Sequence, residues 1–256
     1  MTRTCLVTGA TGTAGRGIAV ELACGGATVY LSSRNASGDT ARSLARTADL
    51  VGEAGGTGVP VRCDHTIEAN VVALADRIHN DRGRLDCLVN NAWGGYEQRD
   101  DAVPFFDAPF WEQPMWRWES MFTAGVRATY LTSRHVAPLM LRGPAERPGL
   151  IVSTIAWAYG AYLGNVLYDT AKAATARMAF GMAHELRPHH VAAVALALGH
   201  LGVSESPRYG GRAIVALATD RAILERTGQT LTAGDLAREY GFSDIDGTQP
   251  EPFALD

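Results

Sequence analysis

Seven short apolar runs, each separated from the next by a longer stretch, set the tightest limit on what this chain can fold into. The runs are Thr4–Thr8, Thr28–Ser32, Val59–Cys63, Leu85–Val89, Leu150–Thr154, Val191–Leu198 and Gln229–Leu231. Between them lie amphipathic or Ala-rich segments: Gly15–Cys24, Asp39–Glu53, Ile67–Asn80, Trp116–Arg142, Val166–Arg187 and Arg212–Thr219. Apolar strands alternating with helices imply βαβ crossovers and a parallel sheet covered on both faces. The expected fold class is α/β, a doubly wound parallel sheet in a single three-layer α/β/α domain, with ligands at the carboxyl ends of the strands. No repeat, low-complexity tract or linker divides the chain. Residues 1–246 read as one domain and 247–256 as a loosely ordered, Pro-containing tail.

Two stretches interrupt the alternation. Gly94–Trp118 is long and rich in aromatics: Tyr96, Phe105, Phe106, Phe110, Trp111, Trp116 and Trp118. It follows the fourth strand, on the edge where a ligand belongs, and connections of this length are commonly functional. Gly199–Gly211 is a short Gly-rich bridge after the sixth strand.

The net charge of −4 argues against nucleic acid or an anionic membrane as partner. The opening residues lack a basic-then-apolar leader, and no apolar run approaches the ~20 residues that cross a bilayer. The expected location is cytoplasmic. Cys5, Cys24, Cys63 and Cys87 have no metal-ligand or CxxC spacing and read as small core residues in a reducing compartment, so no metal is expected.

Of 23 basic residues only one, Lys172, is a lysine. Arginine offers a planar fork and a fixed charge, so an ammonium kept in such a chain marks a site that arginine cannot serve. Its neighbours read Tyr168-Asp169-Thr170-Ala171-Lys172. A spacing of four puts Tyr168 and Lys172 one turn apart on one helix face, where the ammonium would favour the phenolate and lower the tyrosine pKa toward the range of a general acid/base.

A second motif, Thr8-Gly9-Ala10-Thr11-Gly12-Thr13-Ala14-Gly15, joins the first strand to the first helix. Glycines there allow a tight turn and a close backbone approach to a pyrophosphate resting on the helix N-terminus. The second strand ends in Ser33 and Arg34 with no carboxylate, a pattern that suits the 2′-phosphate of NADP(H). Asp64 and Asn90-Asn91-Ala92 stand at the ends of the third and fourth strands, positions that ordinary turn chemistry also favours.

The glycine turn, Asn90-Asn91-Ala92 and Tyr168…Lys172, in this order, resemble the short-chain dehydrogenase/reductase family, whose fold is the Rossmann fold. Tyr162–Val166, His184–Pro188 and Asn91–Gly95 are similar to a branch of it, the "dehydrogenase/reductase member 1"-like proteins. The resemblance implies hydride transfer between a nicotinamide cofactor and a carbonyl carbon. It makes Tyr168 the proton donor or acceptor and Lys172 its tuner and the holder of the nicotinamide ribose. By the same resemblance Gly9, Thr11, Gly12, Thr13, Ala14, Gly15, Ser33, Arg34, Asp64, Asn91 and Ala92 line the cofactor. Family members also bury between subunits the pair of helices that corresponds to Trp116–Arg142 and Val166–Arg187. That implies a homo-oligomer, dimer or tetramer, here with small residues (Ala171, Ala173, Ala174, Ala176, Ala179, Gly181) on the second helix.

The pattern departs from the family in four places. The catalytic Ser, 12 or 13 residues before the Tyr, is replaced by Ala156 and Ile155. Ser153 and Thr154 stand roughly 7–10 Å further back along the strand. The helix-borne Asn is Gly125, the Pro-Gly after the sixth strand is Leu198-Gly199, and the following lid is cut short. No side-chain hydroxyl is therefore expected to replace the Ser. The expected function is an NADP(H)-dependent oxidoreductase on a hydrophobic, cyclic or aromatic small molecule: a carbonyl, iminium, quinone or enone. The aromatic loop Gly94–Trp118, Tyr96 included, with Trp93, Trp157, Tyr159 and Tyr162, would wall its pocket. Two alternatives stay open: a redox-silent enzyme using Tyr168 for cyclisation, dehydration or isomerisation, and a cofactor-sensing subunit without catalysis.

Overall fold

The computed structural model describes residues 2–34, 43–96, 103–106, 108–144, 146–157, 161–199 and 204–252. Its centre is a seven-stranded sheet built from β1 (Thr4–Thr8), β2 (Thr28–Ser33), β3 (Thr57–Arg62), β4 (Cys87–Asn90), β5 (Gly149–Ile155), β6 (Val191–Ala197) and β7 (Thr230–Thr232). The order is β3-β2-β1-β4-β5-β6-β7, and every pairing is parallel. The order reverses between β1 and β4, the switch point where such sheets open a crevice.

Successive side chains leave a strand on opposite faces, and two cores follow. Cys5, Val7, Val29 and Val152 join α1 (Thr13–Cys24), α2 (Leu44–Glu53), α7 (Tyr209–Thr219) and α8 (Ala233–Tyr240) on one side. Leu6, Tyr30, Leu88 and Ile151 join α3 (Glu68–Arg82), α5 (Ala128–Met140) and α6 (Val166–Leu186) on the other. The buried inner strands thus match the expected layers; the edge strand β3 has only exposed and half-buried positions, and the edge strand β7 buries only Thr232.

The segment expected as one helix over Trp116–Arg142 is divided. It comprises α4 (Met115–Met121), a π-helical turn over Phe122–Arg127, and α5. α8 was not anticipated, although Ala233, Leu236, Ala237 and Tyr240 keep helical spacing; Thr232 caps it by accepting from Asp235 N–H. The first part of Asp39–Glu53 lies outside the described residues. The tail is tied down where a loose one was expected. Gln249 donates to the carbonyls of Ala237 (3.1 Å) and Phe242 (2.8 Å), and residues 253–256 lie outside the described residues. Cys5, Cys63 and Cys87 are buried, but Cys24 ends α1 exposed, its thiol donating to Val20 O.

Candidate active site

The strand ends at the switch point open onto one cleft of about 1400 Å³. Its first half is made by backbone turns. Gly9 carries the chain from β1 toward α1 with φ +65°, and a Cβ there would stand 3.0 Å from Ala92 Cα. Gly12 begins α1 without a side-chain cap, leaving the positive end of the helix dipole open to an anion. Thr8 Oγ1 accepts the N–H groups of Asn91 and Ala92, both at 2.8 Å, and donates to Val89 O. Asn91 Nδ2 donates back to Thr8 O (3.1 Å) and Gly9 O (3.3 Å). These bonds weld the ends of β1 and β4 into one rim.

Thr11, Thr13, Ala14, Ser33, Arg34, Asp64, Asn91 and Ala92 line this half, as the sequence reading expected. Thr11 Oγ1 and Ser33 Oγ bond at 2.9 Å, holding the end of β2 beside the glycine turn. Burial works to raise the Asp64 pKa, but hydrogen bonds from Thr66 N–H and O–H, with Arg34 and His65 nearby, hold it below its ordinary value. Gly15 is an exception. It does not line the cleft but packs beneath it, where a Cβ would fall 2.3 Å from Gly9 O. His65, unremarked in the sequence, sits buried between Ser32 Oγ (2.8 Å) and Thr132 Oγ1 (2.7 Å). Burial pulls its pKa down to about 4, so it is neutral at pH 7.

A cradle that side chains would fill, an uncapped helix N-terminus, and a hydroxyl with an arginine at the end of β2 together fit a nicotinamide dinucleotide. Among the described residues no cluster of His, Cys, Asp or Glu could hold a metal ion.

The second half is aromatic. Asn165 caps α6 by accepting from Tyr168 N–H at 3.0 Å, a bond worth about 1 kcal/mol that fixes the turn carrying Tyr168. The same amide donates to Phe105 O at 2.6 Å. Buried Arg117 reaches Val103 O (2.6 Å) and Pro104 O (2.8 Å). Residues 103–106 are thus fastened against α6, and the rings of Phe105 and Phe106 meet Tyr168 edge-on at 5.8 and 6.0 Å between centroids. Asn165 and Arg117 were not singled out as site residues from sequence, and Phe105 was named only among the loop aromatics. Asn165 was legible as an Asn just ahead of the helix run, but its second partner is distant in sequence.

Trp93, Tyr96, Trp157 and Tyr162 all line this half, whereas Tyr159 lies outside the described residues. Of the remaining loop aromatics, Phe110 and Trp111 are exposed against each other, and Trp118 stacks on Phe122, so they do not wall the pocket.

Lys172 is where the expectation needs correcting. Its Nζ lies 3.7 Å from the centroid of the Trp93 ring and 5.6 Å from that of Tyr168. Burial pulls its pKa down to about 7. Burial also raises the Tyr168 pKa well above its ordinary value, with Tyr96 adding to the rise. Desolvation outweighs any help from the ammonium, so Tyr168 is a protonated acid here.

Ile155 and Ala156 line the cleft where a catalytic Ser would stand. Ser153 is fully buried, and Thr154 Oγ1 is engaged with Asn90 O (3.3 Å) and Asn91 Oδ1 (3.5 Å). The hydroxyl that does reach Tyr168 belongs to Tyr96, at 2.7 Å. That hydroxyl comes from the aromatic loop and not from β5. The Gly125 departure also has a cause. A Cβ there would stand 2.5 Å from Trp93 Cζ3, so the indole fills the space that a side chain on the helix would need.

The sequence model for short chain dehydrogenases matches residues 3–206. The mouse protein "Dehydrogenase/reductase SDR family member 1" is 38% identical over 271 aligned residues, covering 95% of this chain and 83% of the mouse protein. The 7α-hydroxysteroid dehydrogenase of Escherichia coli K12 is 30% identical over 196 residues, 76% of this chain and 69% of that protein. A solved metagenomic short-chain oxidoreductase in complex with NADP superposes with a TM-score of 0.70 at 26% identity, over 85% of this chain and 91% of its own.

Proposed function

Because the chain belongs to the short-chain dehydrogenase/reductase family of NAD(P)-binding oxidoreductases, we propose that it uses NADP(H) to reduce or oxidise a hydrophobic, cyclic or aromatic small molecule. The observation that carries this reading is the division of one cleft into a backbone-lined anion cradle and an aromatic chamber, with Tyr168 and Lys172 between them. Gly9, Thr11, Gly12, Thr13 and Ala14 would hold the pyrophosphate at the N-terminus of α1. Ser33 and Arg34 would receive the 2′-phosphate, Asp64 the adenine end, and Asn91, Ala92 and Lys172 the nicotinamide ribose. The bound cofactor supplies a hydride. Tyr168, kept protonated by burial, supplies the proton to the substrate oxygen in the reductive direction. The chamber rings of Trp93, Tyr96, Phe106, Trp157 and Tyr162 exclude water and bind flat apolar surface. The similarity to a hydroxysteroid dehydrogenase supports a polycyclic substrate class.

The absence of hydroxyl and amide donors at Ala156 and Gly125 favours a second reading, redox-silent acid/base chemistry by Tyr168. Deuterium at the transferable position of NADPH separates the two. Cyclic ketones and enones should yield deuterated product, quinones should consume NADPH, and Tyr168→Phe should lower turnover by about 10²–10⁴-fold. Product formed with neither label nor cofactor consumption would replace the first reading with the second. Among the described residues no helix is long and apolar enough to cross a membrane. The α6 surface leaves Ala173, Phe180 and Gly181 exposed, which supports assembly of copies through this helix. A monomer in sedimentation at micromolar concentration would rule that out.

A further inference from the structure

Among the described residues, Ser153, Thr154, Tyr168 and Tyr96 carry hydroxyls around the end of β5 and the start of α6, and the first three are already engaged or enclosed. Ser153 is sealed beneath the sheet end, Thr154 is bonded to Asn90 and Asn91, and Tyr168 is the acid. The fourth, on Tyr96, has its oxygen 2.7 Å from that of Tyr168. Tyr168 is 6% exposed while Tyr96 is 60% exposed, so the pair sits at the boundary between the protein interior and the open cleft. The rings are 6.0 Å apart and inclined by 36°. Phe105 braces both, at 5.7 Å from Tyr96 and 5.8 Å from Tyr168, and Trp93 contacts both edge-on.

We propose that Tyr96 is a second catalytic residue: its phenol and that of Tyr168 together form the oxyanion site for a conjugated cyclic carbonyl such as an enone or quinone. In the pair each oxygen can donate or accept, and one O–H is spent on the other. A substrate oxygen that enters between them receives both protons as hydrogen bonds. Two donors converging on one oxygen is what an oxyanion site requires, and a phenol, with a pKa of about 10, is a more acidic donor than an aliphatic hydroxyl. The inference rests on the oxidoreductase reading for its direction. The β-carbon of the conjugated carbonyl gains the hydride from a reduced nicotinamide dinucleotide as its C–C π bond shifts toward the carbonyl and the C–O π pair moves onto oxygen. The oxygen takes the Tyr168 proton as that O–H bond breaks. Tyr96 keeps its own proton and stabilises the charge. A carbonyl whose charge spreads over a flat ring needs only these donors, consistent with a site that has no Ser at Ala156.

The test pairs a binding readout with a kinetic one. 2-Naphtholate, a flat oxyanion, is titrated by fluorescence into wild type, Tyr96→Phe, and Tyr96→Phe combined with Ala156→Ser. Unfolding temperatures confirm that each variant is folded. Tyr96→Phe should weaken naphtholate binding at least tenfold and lower quinone or enone kcat by about 10²–10³-fold, with coenzyme KM unchanged. Ala156→Ser should recover part of both losses. The label experiment above keeps the two readings apart. If wild type transfers no label yet Tyr96→Phe still weakens naphtholate binding, the redox reading fails and the oxyanion site stands. If wild type transfers label and folded Tyr96→Phe matches it in kcat and naphtholate affinity, the role of Tyr96 is overturned and the reductase stands.

Discussion

The two halves of the cleft are built by different means. The coenzyme half is a backbone structure: Gly9 at positive φ, the uncapped start of α1, and Thr8 and Asn91 bonded to main-chain groups across β1 and β4. The aromatic half is held by side chains from distant segments, with Trp93 filling the room beside Gly125, Tyr96 reaching Tyr168, and Asn165 and Arg117 tying residues 103–106 in place. A backbone site tolerates little change in shape but can accept varied neighbours. A side-chain site can be refitted by paired exchanges, which is how the space for a helix-borne side chain passed to an indole. The conserved-looking half of the motif pattern therefore says what is held, and the rebuilt half says on what it acts.

Four substitutions probe that contrast, in descending order of effect. Gly15→Ala attacks the backbone half where nothing can yield, since the new Cβ meets Gly9 O at 2.3 Å. A cost of about 3 kcal/mol is expected. It should appear as a roughly 100-fold loss of NADPH affinity in calorimetry, a lower unfolding temperature, or both. Lys172→Met probes the seam. Burial holds the Lys172 pKa near 7 against an ordinary 10.5, so between those values the unfolded chain binds the extra proton. This group should make wild type gain about 1.4 kcal/mol of stability per pH unit above pH 7, with the full cost of burial remaining below it. Denaturation at pH 7, 8 and 9 should show the slope, and Lys172→Met should lose it.

Gly125→Asn tests the refitted half. The Trp93 ring can shift, so a cost of about 1 kcal/mol is expected, and Trp93→Gly in the same chain should return much of it as a non-additive pair. Additive losses would mean that the indole and the glycine are unrelated. Smallest is Arg34→Ala at the exposed end of β2. It should reduce the preference for NADPH over NADH roughly threefold, the scale of one charged contact near solvent. Equal affinities in wild type would remove the case for a 2′-phosphate there.

The fold was legible because buried parallel strands announce themselves as apolar runs, and Thr4–Thr8 is recovered to the residue. The glycine turn that lines one half of the cleft was legible for the same reason, since local turn chemistry writes itself in adjacent residues. Tyr168 and Lys172 could be placed on one helix face from their spacing, but spacing along a helix does not reveal what lies across from it. Trp93 stands opposite, and burial then moves both pKa values away from the expected tuning. The π-helical turn at Phe122–Arg127 left no periodic signature, so α4 and α5 read as one helix. Tyr96 was read as pocket wall because an aromatic residue in a loop gives no sign of where its hydroxyl points.

Asn165 gives Tyr168 and residues 103–106 a common fate. Its oxygen holds the N–H of Tyr168 and its nitrogen holds the carbonyl of Phe105, and the two ends belong to one rigid amide plane. A displacement that lifts Phe105 to admit or release a ligand would tilt that plane and draw the cap away from the first turn of α6. The acid would then be loosened whenever the entrance is open and seated whenever it is shut. A single planar group would act as an interlock, allowing proton delivery only to a substrate already enclosed.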